Sequence, residues 1–214
     1  MKKITWLLIM MGISTYGQQL YLGLGKTMSR FDYKNSAGQS LENLLPKGGL
    51  FLEMGYRDVI NNNETLYVSI GGIYDEFGAI GSDRTLDNYF EWDVTYVGVE
   101  GGLDYKLFSL RDFSFFLEAN VSVEFLVQGT QTINNQVYNL VGEDEFNTSI
   151  FFLNGGLNMT YPISRNTLIK ASYSYGRTML IGKGNASDQE ELRLLAHKIG
   201  FGIIINLPGC NCPF

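Results

Sequence analysis

The side chains able to do chemistry are few and far apart. The single histidine, His197, stands in "LLAHKIG", and the only cysteines, Cys210 and Cys212, share the terminal "LPGCNCPF". Histidine serves as a general base only with a hydroxyl or thiol in reach. Ser172 and Ser174 have the opposite strand parity to His197, and no His-x-Ser pattern occurs. His197 therefore reads as an interfacial residue rather than half of a hydrolase pair. Cys210 and Cys212, one residue apart, can close a small strained disulfide ring that pins the tail, bond to another chain, or serve as a soft-metal pair or free thiols. Two thiolates alone make an incomplete zinc site, and all three readings stay open. Carboxylates gather as Asp75, Glu76, Asp83, Asp87, Glu91 and Asp93, and again as Glu143, Asp144 and Glu145. Calcium takes about 6–8 oxygens, but this spacing matches no EF-hand, and the acids read as solvated loops. No catalytic, cofactor-binding or metal-binding set is expected.

The bulk properties say where such residues must be held. "MKKITWLLIMMGISTYGQQ" begins with Lys2 and Lys3, then an apolar core over 4–13 too short to span a bilayer. Residues 1–17 read as an export signal with Gln18 as the mature start, and no Cys follows the core to mark a lipoprotein. The whole chain of 214 residues has 25 Gly, 13 Tyr, 14 Phe and 4 Pro, with net charge −6. That charge argues against a nucleic-acid partner, whose phosphates need clustered cations. Beyond residue 17 no apolar run approaches helical membrane-spanning length.

Instead, apolar and polar residues alternate with the period of two that marks strands. Eight such segments are read: 20–25, 50–57, 66–71, 97–107, 113–125, 151–161, 168–176 and 198–207. Short connections fall near 60–64, 108–112 and 162–166, and long polar ones near 32–47, 76–89, 129–146 and 178–191. This rhythm describes an up-and-down meander with both ends on the short-turn side.

The polar set is rich in Gly, Ser, Asn and Thr, and "SIGGIY", "VEGGLDY" and "LNGGLNM" repeat a glycine pair at mid-strand. Small residues suit the crowded bore of a narrow barrel. The apolar set is long enough to cross hydrocarbon on tilted strands. Tyr56, Tyr105, Phe113 and Tyr161 at one end, and Tyr74, Trp92, Phe125, Tyr173 and Tyr175 at the other, read as aromatic girdles. Parity then assigns Glu53, Arg57, Glu100, Asp104, Lys106, Glu118, Glu124, Lys170 and Lys198 to the lumen, where buried ions must pair. The expected fold is all-β, an eight-stranded antiparallel transmembrane barrel over 18–207, followed by a Cys-x-Cys tail over 208–214.

On this patterning and loop rhythm the chain resembles the small eight-stranded outer-membrane barrels of Gram-negative bacteria, the OmpA transmembrane domain and OmpX. The resemblance implies an outer-membrane location and a C-terminal aromatic read by the assembly machinery. Phe214 fits by position and Phe201 is its substitute, because the prolines of "PGCNCP" cannot sit in a fully paired strand. The function expected is that of a non-catalytic structural or accessory subunit without cofactors. Both its termini would be periplasmic. It would meet outer-membrane lipid and hold a partner membrane or periplasmic protein through its loops or tail, with "YFEWDVTYV" (89–97) as an exposed aromatic edge. The alternatives are a narrow solute channel and, behind it, a lipid-modifying barrel enzyme.

Overall fold

A computed structural model describes residues 18–34, 44–83, 88–142, 149–179 and 191–207. The strands are β1 (Gln19–Lys34), β2 (Leu44–Val59), β3 (Leu66–Asp83), β4 (Asn88–Leu110), β5 (Phe113–Ile133), β6 (Gln136–Asn139), β7 (Ile150–Ser164), β8 (Thr167–Met179) and β9 (Glu191–Asn206). Eight of them close a barrel, each paired antiparallel to its sequence neighbour except at the β5–β7 junction, where β6 is bypassed. Closure comes from β1 and β9, which pair from Gln19↔Asn206 to Lys34↔Glu191. A closed antiparallel barrel leaves no open edge in the bilayer, so every backbone amide there finds a partner within the sheet.

β6 is an addition to the expected eight strands. It folds back on the upper part of β5 through Asn134 and Asn135, whose φ values of 47° and 69° are those of a two-residue hairpin turn. Segments expected to be long loops are in part strand. Residues 76–83 and 88–95 stay paired as Glu76↔Thr95 through Asp83↔Asn88, so the barrel wall rises well past the apolar band. The same polar alternation that suggested solvated loops also suits paired strands standing in water. Residues 1–17, Asp87, Glu143, Asp144, Glu145, Cys210, Cys212 and Phe214 lie outside the described residues.

The two faces separate as parity requires. Outward residues form a wall of exposed apolar side chains, with Phe201 at 72% and Ile70 at 65% exposure, while inward neighbours are buried. On β4 this wall runs from Val97 to Leu107. Tilted strands of that length rise about 26 Å, the height of a hydrocarbon band. Leu103 stands near its middle, so Leu103→Arg should cost about 2–4 kcal/mol of stability in lipid vesicles, measured by urea unfolding. A cost near zero would place that face in water. Trp92 departs from the expected girdle. It points into the bore and packs against the buried cluster, with Phe31 at 6.1 Å and the half-buried Phe90 at 5.9 Å between ring centroids.

Candidate site: a filled bore and its apolar cap

Strand alternation brings the inward charges into two groups. Nearer the short turns, Arg57 of β2 lies 2.9 Å from Asp104 of β4 and donates to Gln19 Oε1 at 3.1 Å. Its guanidinium stacks 4.0 Å from the Tyr67 ring centroid and 5.0 Å from that of Phe116. Asn158 Nδ2 donates to Asp104 at 2.9 Å and to Glu118 at 2.8 Å. Lys170 reaches across to Glu53 at 3.3 Å and Glu118 at 3.2 Å. Side chains from six strands, β1, β2, β4, β5, β7 and β8, thus meet in one mesh. The void left among these side chains, Tyr21 and Glu100 is about 20 Å³, room for about one water.

Further up, Lys198 of β9 pairs with Asp75 of β3 at 2.6 Å, and Asp75 is fully buried. The ammonium lies 5.3–5.8 Å from the ring centroids of Phe51, Phe77 and Phe152. Glu124 is fully buried too, accepts from Ser122 Oγ, and crosses the face of Gly98 toward β3. Above this group the bore turns apolar. Phe31, Phe77, Ala79, Val94, Tyr96, Leu140, Phe152, Leu194 and Ala196 form a buried cluster, packed by Leu44, Trp92, Leu126 and Ile150.

Of the residues predicted for the lumen, Glu53, Arg57, Glu100, Asp104, Glu118, Glu124 and Lys198 are buried; Lys170 is nearly so, and Lys106 is half-buried near the short turns. Asp75 was expected in an acidic loop and instead sits inside, because β3 continues inward as Tyr67, Ser69, Gly71, Ile73, Asp75 and Phe77. The inward apolar cap is hidden in the sequence for a related reason: Phe31, Phe77, Val94, Tyr96, Leu140 and Leu194 lie outside the eight segments whose alternation is clear. Conversely, Glu76, Glu91 and Asp93 do face outward. Lys47 reaches Glu91 at 2.6 Å and also pairs with Asp93, and Glu76 accepts from Tyr74 Oη and the Leu50 amide. These outward charges mark the upper limit of the apolar wall.

In this exterior cluster the hydrogen bond from Lys47, then that from Tyr89, holds the Glu91 carboxyl below its ordinary range. A carboxyl depressed in the folded state adds stability above its unfolded pKa and loses it as pH falls through the folded value. Lys47→Met should therefore raise the Glu91 titration toward the ordinary carboxylate value, as read by carboxyl-carbon NMR; an unmoved titration would show the pair is not formed.

His197 faces outward and is exposed. Its Nδ1 lies 2.9 Å from Tyr173 Oη, and the Tyr175 ring sits 4.7 Å away. Ser172 and Ser174 are on the other face of β8. The histidine is thus held by tyrosines on the outer wall.

No family model matches the chain, and no curated protein matches it. Among solved structures it is similar to the Neisserial surface protein A, with 13% identity, TM-score 0.48, and 88% of this chain and 97% of that one covered. Ail, the attachment invasion locus protein of Yersinia pestis, is similar with 17% identity, TM-score 0.40, and coverage of 89% and 99%. The outer membrane protein OprG from Pseudomonas aeruginosa gives 12% identity, TM-score 0.45, and coverage of 90% and 97%. The chain shares with them a small closed antiparallel barrel, which its own strand register defines.

Proposed function

We propose that the protein is a closed, non-conducting outer-membrane barrel that acts through its exterior as a structural or accessory subunit. The observation that carries this reading is the bore. Paired ions fill its lower part, and an apolar cluster fills the upper part where a solute would enter or leave. Ions crossing such a cluster would shed their water without replacement ligands, at a cost of several kcal/mol. The barrel's described ends, Gln18 and Leu207, meet on the short-turn side, which we assign to the periplasm, and the taller rim faces outward.

That rim offers the surface for a partner. In the β5–β6 hairpin and just beyond it, Val137 is 68% exposed and Tyr138 and Val141 are nearly half exposed. Apolar side chains left in water beyond the lipid band mark a contact surface. Planar-bilayer recording tests the closed bore: pure protein should give no steady unitary conductance, and regular openings would overturn the reading. Purification in mild detergent tests the partner. A stoichiometric companion is expected, while a lone monomer in near-quantitative yield would contradict it.

A further inference from the structure

The outer wall of β8, β9 and β1 carries charges of one sign where the apolar band ends. Register sets three adjoining rows of outward residues: Lys26 beside Ile199 and Tyr173, Met28 beside His197 and Tyr175, and Arg30 beside Leu195 and Arg177. Lys26, Arg30, Arg177 and His197 are all exposed. Among the described residues these rows hold no carboxylate; the next outward acid on β1, Asp32, stands one row higher, opposite Arg193. On the β3–β4 side the outward charges are Glu76, Glu91 and Asp93, the last two tied to Lys47. The positive face is therefore a local feature in a chain whose net charge is −6.

The same place is concave. A cavity of about 350 Å³ is lined by Met28, Arg30, Pro46, Tyr175, Leu195 and His197, with Ser29 at its floor. Ser29 Oγ is engaged with the Gly78 carbonyl at 2.9 Å, leaving a mainly apolar lining. Arg30 lines it, and Arg177 stands past Leu195 in the same row, two strand spacings from Arg30, about 9–10 Å. Guanidinium groups present a planar fork that matches phosphate oxygens and holds them with charge-assisted hydrogen bonds. An apolar slot that opens onto hydrocarbon and carries arginines at its headgroup edge complements one kind of molecule, an amphiphile with an anionic phosphate.

We propose that this groove seats a phosphate-bearing lipid of the surrounding leaflet, its phosphate between Arg30 and Arg177 and an acyl chain along Met28, Pro46 and Leu195. Tyr175 and His197 close the side of the slot, and Lys26 contributes charge from the row below. This assignment requires only that the wall face lipid, so it stands or falls separately from the closed bore.

The test uses the whole mature protein in phosphatidylcholine nanodiscs carrying a minor fraction of phosphatidate, with retained lipid counted by native mass spectrometry. The protein should keep phosphatidate in preference to phosphatidylcholine. Arg30→Gln with Arg177→Gln should lower that preference by about tenfold, the loss expected for charge-assisted bonds. Arg165→Gln, exposed at a short turn, should leave it unchanged. Heat-shifted electrophoretic mobility reports folding; should the double Gln variant not fold, Arg30→Lys with Arg177→Lys is read instead, and it too should weaken retention because lysine lacks the fork. Equal retention of both lipids by the natural sequence, unchanged retention in the folded arginine variants, an equal loss in Arg165→Gln, or inorganic phosphate held in detergent without lipid would each overturn the proposal.

Discussion

Lys198→Met is expected to destabilise the barrel by about 3–5 kcal/mol, the cost of leaving buried charge unpaired. The ammonium contacts Asp75 at 2.6 Å, and neither Asp75 nor Glu124 is exposed to solvent. Ser122 supplies Glu124 with a hydroxyl but no charge. The three phenylalanine rings around Lys198 hold the ammonium away from water, so a methionine there fits by shape and fails by charge. The effect should be non-additive. Adding Asp75→Asn removes the stranded anion, and the double variant should regain more than half of the loss, as neighbours in one network couple strongly. Urea unfolding in lipid vesicles reads both numbers. A single variant within about 0.5 kcal/mol of the natural sequence, the range of an ordinary surface change, would show that the pair contributes no net stability.

An effect of comparable size, read as loss of the folded barrel, is expected at one member of two of the glycine pairs. In "SIGGIY" a Cβ on Gly71 would stand 2.3 Å from the Met54 carbonyl oxygen and 2.4 Å from Tyr21 Oη, while one on Gly72 meets nothing nearer than 3.8 Å. In "LNGGLNM" a Cβ on Gly156 would stand 2.3 Å from the Tyr173 carbonyl oxygen, against 4.0 Å for the nearest atom to Gly155. In these two pairs the inward member lies under a neighbouring strand's backbone and the outward member opens on the lipid side, whereas in "VEGGLDY" the inward Gly102 is crowded by the Asn120 and Ser69 side chains instead. Gly71→Val and Gly156→Val should prevent closure, leaving no heat-shifted folded band and a loss of more than about 3 kcal/mol, at the upper end of overpacking costs. Gly72→Val and Gly155→Val should fold near normally, because a strand favours a β-branched side chain over glycine. Equal effects at the two members would deny that Gly71 and Gly156 are there for close backbone approach.

Much of this was legible because strand parity is strict. One residue of slip would exchange the two faces, so Glu53, Glu100, Asp104 and Glu118 could be assigned to the bore from alternation with Leu52, Val99, Leu103 and Leu117. What sequence did not reveal lies above the apolar band. There both faces of a strand meet polar or mixed surroundings, and the contrast that carries the signal fades. Asp75 looks like its neighbour Glu76, yet one pairs with Lys198 inside and the other accepts from Tyr74 outside. Trp92 is apolar in both the girdle reading and the cap reading, Phe77 falls in a segment that reads as a loop and Val94 in one that reads as an exposed edge, and only the continued pairing of β3 with β4 places all three. Which carboxylate meets which cation was also beyond reach: Arg57 to Asp104 and Lys170 to Glu118 depend on the shear of the closed barrel, which no local pattern encodes.

Everything rests on which side of the wall meets lipid, and a carbene photolabel carried on an acyl chain asks that directly along β5. With the protein in bilayers, adducts located by peptide mass spectrometry should fall on Leu117, Val121 and Phe125 and spare Glu118, Ser122 and Glu124. Adducts on the second set that spare the first would contradict the account.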